Sequence, residues 1–250
     1  CHMPNARFKS LLHLHFLVFI WGFTSILGAL MNKSPFEIVW FRVVIASSLI
    51  AVYFLFFKRK LFKVPLKALV YFALGGLLIS VHWILFFHAI KISSVSVTLS
   101  VLSSASLMTS FLEPLFYKRK IRIYEVFFGA FVVIGLSVIF KAEQDSSIGI
   151  YVALLSTLLS VSFTLLNGKL IEYYQATSIS FYQLLSGSFF LSIWLIFILD
   201  IPTDFFVLKG YDPLWIFLLA SFCTAYAFIA SVEIMKQISP YTIMISLNME

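Results

Sequence analysis

Few side chains in this sequence are equipped for chemistry, and those few lie inside long apolar runs. His82, Trp83 and Phe86 share one run, Trp21 and Thr24 lie in another, Tyr226 in a third and Asn248 in a fourth. Their chemistry is that of holding a solute: aromatic rings cover its apolar part, while an imidazole, hydroxyls and an amide orient it through a few hydrogen bonds. A histidine in hydrocarbon is expected to face the protein interior or a wet cavity, and the plainer alternative for His82 is a bond to a carbonyl of a neighbouring helix. Glu113 and Glu233 are the carboxylates that would carry proton coupling if either reached a solute path; the plainer alternative is a solvated ion pair with Lys118 or Lys236. Arg42, about two turns inside its run, reads as snorkelling or as pairing with a helix end. His13 and His15 are two apart and diverge on a helix, so they make no metal pair. Cys1 and Cys223 give neither a disulfide framework nor metal-ligand spacing. There is no P-loop, G-x-G-x-x-G, H-E-x-x-H or nucleophile elbow, so no enzyme, cofactor or ATP-driven pump is expected.

The elements that must position these residues follow from composition. Of 250 residues, 61% are apolar and 12% charged, with a mean hydropathy of +1.01. That composition cannot clothe a soluble domain in polar surface, so an all-α polytopic membrane protein is expected. A span needs about 20 apolar residues to cross ~30 Å of hydrocarbon. Runs of that scale cover 11–31, 36–57, 66–90, 94–117, 123–140, 148–168, 177–199 and 214–235, and a ninth begins after Pro240. Continuous runs of this length favour helices over the short alternating strands of a barrel.

Charge then sets orientation. The 18 Lys and Arg against 11 Asp and Glu leave +7, which would suit nucleic acid if the charges formed a patch. They fall instead between spans, thirteen on one side and four on the other, with Arg42 inside a span. That asymmetry predicts a cytoplasmic N-terminus and removes nucleic acid as a partner. A lipid bilayer and a small-molecule substrate are the partners expected; nothing in the sequence sets an oligomeric state.

A weak internal repeat is present. Trp40-Phe41-Arg42 matches Phe181-Tyr182-Gln183 at an offset of 141, and Lys91-Ile92-Ser93-Ser94 matches Lys236-Gln237-Ile238-Ser239 at 145. Matching spans lie five apart, an odd number, so counterparts run in opposite directions. Two inverted five-helix repeats are predicted, 1–145 and 146–250. The second is expected to be truncated within its fourth helix, with about eight and a half of ten helices present and about one and a half more spans in the native protein. The repeat places Tyr226 beside Ala227, the counterpart of His82, so one midplane pocket is expected to hold His82, Trp83 and Tyr226.

Trp21-Gly22, Pro35 and Arg42 around the second span, the 89–96 turn, and Gly129 and Gly135 in the fifth span resemble the EamA family of the drug/metabolite transporter superfamily. The resemblance implies ten helices, alternating access, and export of amino acids or related small metabolites across a bacterial inner membrane. It departs from the family at Lys118-Arg119-Lys120, where relatives commonly carry an acidic residue. The function expected is therefore a secondary transporter exporting a small amphipathic metabolite, with an amino acid the leading candidate, through a central cavity. The alternative is a non-transporting membrane protein, such as a lipid-handling or assembly factor built on the same helices.

Overall fold

A computed structural model describes residues 4–118, 120, 123–142, 147–197 and 203–249. The apolar runs form α1 (Pro4–Leu30), α2 (Pro35–Phe57), α3 (Leu66–Ile92), α4 (Val95–Leu102), α5 (Ala105–Tyr117), α6 (Ile123–Ala142), α7 (Ser147–Leu170) and α8 (Ala176–Phe197). They continue as α9 (Asp212–Ala220), a π-helical segment (Ser221–Tyr226), α10 (Ala227–Ile234) and α11 (Pro240–Ser246). No strand occurs among the described residues. Seven helical stretches there are long and apolar enough to cross a membrane: α1, α2, α3, α4 with α5, α7, α8, and α9 through α10. The architecture is thus all-α and polytopic. Large apolar side chains such as Phe56 and Phe197 lie on the outside, each 78% exposed, as a lipid-facing surface requires.

Helix starts follow local chemistry. Ser34 and Glu37 form a capping box in which Ser34 Oγ accepts from the Glu37 N–H and Glu37 Oε2 accepts from the Ser34 N–H, with Pro35 in the first turn. Ser94 caps α4 and Ser239 caps α11 through their hydroxyls.

The fourth apolar run, expected to be one continuous span, is interrupted at Ser103–Ser104 between α4 and α5. Ser103 Oγ donates back to the Ser100 carbonyl, and Ser106 Oγ to that of Ser103, so hydroxyls compete with the helical ladder where the helix breaks. Small residues in the third and fourth spans read as a closely packed pair of these spans, but Gly76 and Ser80 of α3 meet α8. A Cβ at Gly76 would collide with Ser186 Oγ and the Gln183 carbonyl, and one at Gly187 with Ser80 Oγ. Only glycine lets the two backbones come this near.

At the end of the bundle where α1 stops and α2 begins, the polar connection after α8 packs inward. Lys33 Nζ donates to Glu37 Oε1 at 2.6 Å and to the carbonyls of Asp204 and Phe205 at 2.8 and 3.1 Å. Phe205 is buried against Trp40 and Phe41. A buried cation with three acceptors and an aromatic seal fix this connection to α2.

Candidate functional site

The bundle holds a partly open cavity of about 110 Å³, several times the space one water needs. Its walls come from both halves of the chain. Trp21 and Thr24 of α1, and Ile79, His82, Trp83 and Phe86 of α3, meet Ser160, Phe163 and Thr164 of α7, Cys223 of the π segment, and Phe228 and Ser231 of α10. Arg42 of α2 and Leu102, at the end of α4, complete the middle, with Met235, Ile243, Met244 and Leu247 at the α11 side. Phe163 and Phe228 stack with ring centroids 5.3 Å apart, and Trp83 stands 6.1 Å from Phe228. The lining is mostly apolar, aromatic rings on one part and Ile, Leu and Met side chains on the rest, with a few hydroxyls, one imidazole and one guanidinium.

Five residues singled out from sequence, Trp21, Thr24, His82, Trp83 and Phe86, therefore share one cavity. His82 combines both of its readings. Its Nδ1 lies 2.8 Å from both the Ser156 carbonyl and Ser156 Oγ, and that hydroxyl donates its own proton to the His82 carbonyl at 2.9 Å. A carbonyl only accepts, so Nδ1 carries the proton and Nε2 is left as an acceptor. The α7 backbone thus fixes the ring in the cavity wall.

The expectation that Tyr226 shares this pocket is corrected. Tyr226 lies two residues, about 200° of helical turn, from Phe228, so the two side chains point to opposite faces. It is 43% exposed, and its hydroxyl lies 2.8 Å from His13 Nε2 on the outer surface between the π segment and α1. Asn248 lines a separate groove with Ser100, Ser103 and Gly135, between α4 and α6. Neither Glu113 nor Glu233 lines the cavity. Glu233 pairs at the surface with Lys236, Nζ to Oε1 at 2.6 Å, as its plainer reading had it. Glu113 is buried in α5, so its solvated reading is corrected as well.

Sequence reasoning left Arg42 as a snorkelling or helix-end residue. It is 1% exposed and crosses to the opposite helix. Its Nε donates to Thr224 Oγ1, its Nη2 to the Cys223 carbonyl at 3.4 Å, and its guanidinium carbon lies 3.8 Å from the centroid of the Trp83 ring. The π segment makes this possible. There Thr224 Oγ1 donates to the Leu219 carbonyl, five residues back, and Cys223 and Phe228, also five apart, both reach the cavity. The signal that was available is general: an ionisable residue inside a span is a functional candidate before it is anything else.

Comparison with known proteins places this geometry. No curated protein matches the chain. A solved structure described only as "Crystal structure of protein" shares the fold, with a TM-score of 0.67 over 94% of this chain and 82% of that one, at 12% identity. The family model for the EamA-like transporter family matches residues 9–141, more than half of the sequence. With its apolar spanning helices and interior cavity, the chain belongs to the EamA-like transporter family.

Proposed function

We propose that this transporter exports a small amphipathic metabolite, an amino acid being the leading candidate, by alternating access through the cavity between its two halves. The observation that carries the reading is the lining. Aromatic rings from α1, α3, α7 and α10 surround a few polar groups inside a membrane-spanning bundle, and such a lining suits a solute with one apolar and one polar end. The repeats proposed are 1–145 and 146–250. Ser94 and Ser239, 145 residues apart, both cap helices with their hydroxyls, which supports that division. In this reading the protein sits in a bacterial inner membrane with a cytoplasmic N-terminus, and the proton-coupling roles of Glu113 and Glu233 drop behind, since neither faces the cavity.

The test is solute flux. Full-length protein in proteoliposomes is expected to move a labelled apolar amino acid such as phenylalanine down an imposed gradient faster than protein-free vesicles. Binding of lipid without movement of any solute would favour a lipid-handling role instead.

A further inference from the structure

Arg42 is a cation in the cavity wall without a matching anion. None of the cavity-lining residues is acidic, and among the described residues no carboxylate forms an ion pair with Arg42. Of the guanidinium's donors, those on Nε and Nη2 reach Thr224 and Cys223, while buried Nη1 has no hydrogen-bond partner among the described protein groups. The Trp83 face favours the positive charge but accepts no conventional hydrogen bond. A buried guanidinium with a donor unspent and no counter-charge is costly, and a buried charge is normally paired.

We infer that Arg42 is the docking point for the carboxylate of the transported solute, and that the protein selects small monoanionic carboxylates carrying an apolar group. This deepens the transport reading above and rests on it. A planar guanidinium edge matches a carboxylate in shape and in charge-assisted hydrogen bonding. The single positive charge balances a monoanion; a phosphate dianion would leave a net negative charge in a mostly apolar space whose described lining holds no second Lys or Arg. An organic cation meets the same guanidinium as a repulsion, with no acidic wall residue to receive it. Trp83 holds the guanidinium in place from one face, and Phe86, Phe163 and Phe228 are at hand for the apolar group. The ammonium of an amino acid, where present, would find acceptors in the hydroxyls of Ser160, Thr164 and Ser231.

The position also supplies its own control. In the repeat, Arg42 corresponds to Gln183, which is fully buried and donates from Nε2 to Asn167 Oδ1 at 2.7 Å, away from the cavity lining. Arg42→Gln thus places at one site the residue the chain already buries at the matching one.

The experiment uses full-length protein and three probes of one shape: 3-phenylpropionate, 3-phenylpropionamide and phenethylamine. Competition against labelled phenylalanine flux in proteoliposomes is read together with quenching of tryptophan fluorescence, since Trp21 and Trp83 line the cavity. The carboxylate is expected to compete about tenfold or more better than the amide, with the amine weakest. Arg42→Gln is expected to weaken the carboxylate by about the same factor and leave the amide unchanged, with Arg42→Lys between them. An amide or amine that competes as well as the carboxylate overturns the inference while phenylalanine flux leaves the transport reading standing. Equal carboxylate affinity in a folded Arg42→Gln protein does the same. Absence of flux and binding for every probe overturns the transport reading and this inference with it. Should Arg42→Gln fail to fold, the comparison of the three probes on the unaltered protein still decides.

Discussion

The two facing walls of the cavity are built differently. On one side α3 runs unbroken from Leu66 to Ile92 and presents Ile79, His82, Trp83 and Phe86 at regular helical spacing. On the other, α9 loosens into the π segment before α10 resumes, and Cys223, Thr224, Phe228 and Ser231 do their work at irregular spacing. The regular wall holds its polar group through a neighbouring helix, His82 to Ser156 of α7. The irregular wall uses its altered backbone to receive a charge, Arg42, from α2. A straight helix can show aromatic surface to a cavity, but a buried guanidinium needs oxygen atoms turned toward it, and a π turn provides them.

The irregular wall is therefore expected to be the more fragile. Thr224→Val keeps the shape but removes the oxygen that accepts from Arg42 Nε, leaving a buried charged donor unpaired. A loss of about 3 kcal/mol is expected from chemical or thermal unfolding in detergent, because an unsatisfied charged group costs more than the ~1–3 kcal/mol of a neutral one. Thr224→Ser should restore most of it. A Thr224→Val protein as stable as the unaltered one would mean that the π segment does not support the charge.

A smaller effect is expected on the regular wall. Ser156→Ala deletes the hydroxyl that donates to the His82 carbonyl and lies 2.8 Å from Nδ1, but leaves the backbone carbonyl at 2.8 Å, so the ring keeps one of its two contacts. The same unfolding measurement should register about 0.5–1.5 kcal/mol. A loss exceeding that of Thr224→Val would reverse the ranking of the two walls.

The walls also differ in how far they could be read in advance. The approximate spans and the cavity-facing cluster on α3 were legible because apolar run length marks a span and a regular helix converts spacing into direction. Tyr226 was misplaced for the same reason: matching by repeat position names a depth, whereas the phase around the helix, here about 200° from Phe228, decides the face. The break at Ser103–Ser104 and the π turn at 221–226 were not legible, since serine and threonine also occur within unbroken spans such as α7 and α8 and do not by themselves say where the helical ladder gives way. Arg42 was legible as a charge in hydrocarbon, but its partners lie more than 180 positions away in the chain, and spacing arguments do not reach that far.

The most direct test of the cavity as the solute path is phenylalanine flux in proteoliposomes, comparing His82→Ala with Tyr226→Ala. Each removes one polar ring from a spanning helix, and both proteins are to be matched for melting temperature and amount incorporated. His82 stands in the cavity wall and Tyr226 on the outer surface. Flux is expected to fall several-fold to about tenfold for His82→Ala, the scale of one lost hydrogen bond to a buried solute, and to stay within about twofold for Tyr226→Ala. Unchanged flux in His82→Ala, or a larger loss in Tyr226→Ala, would contradict the assignment of the path to this cavity.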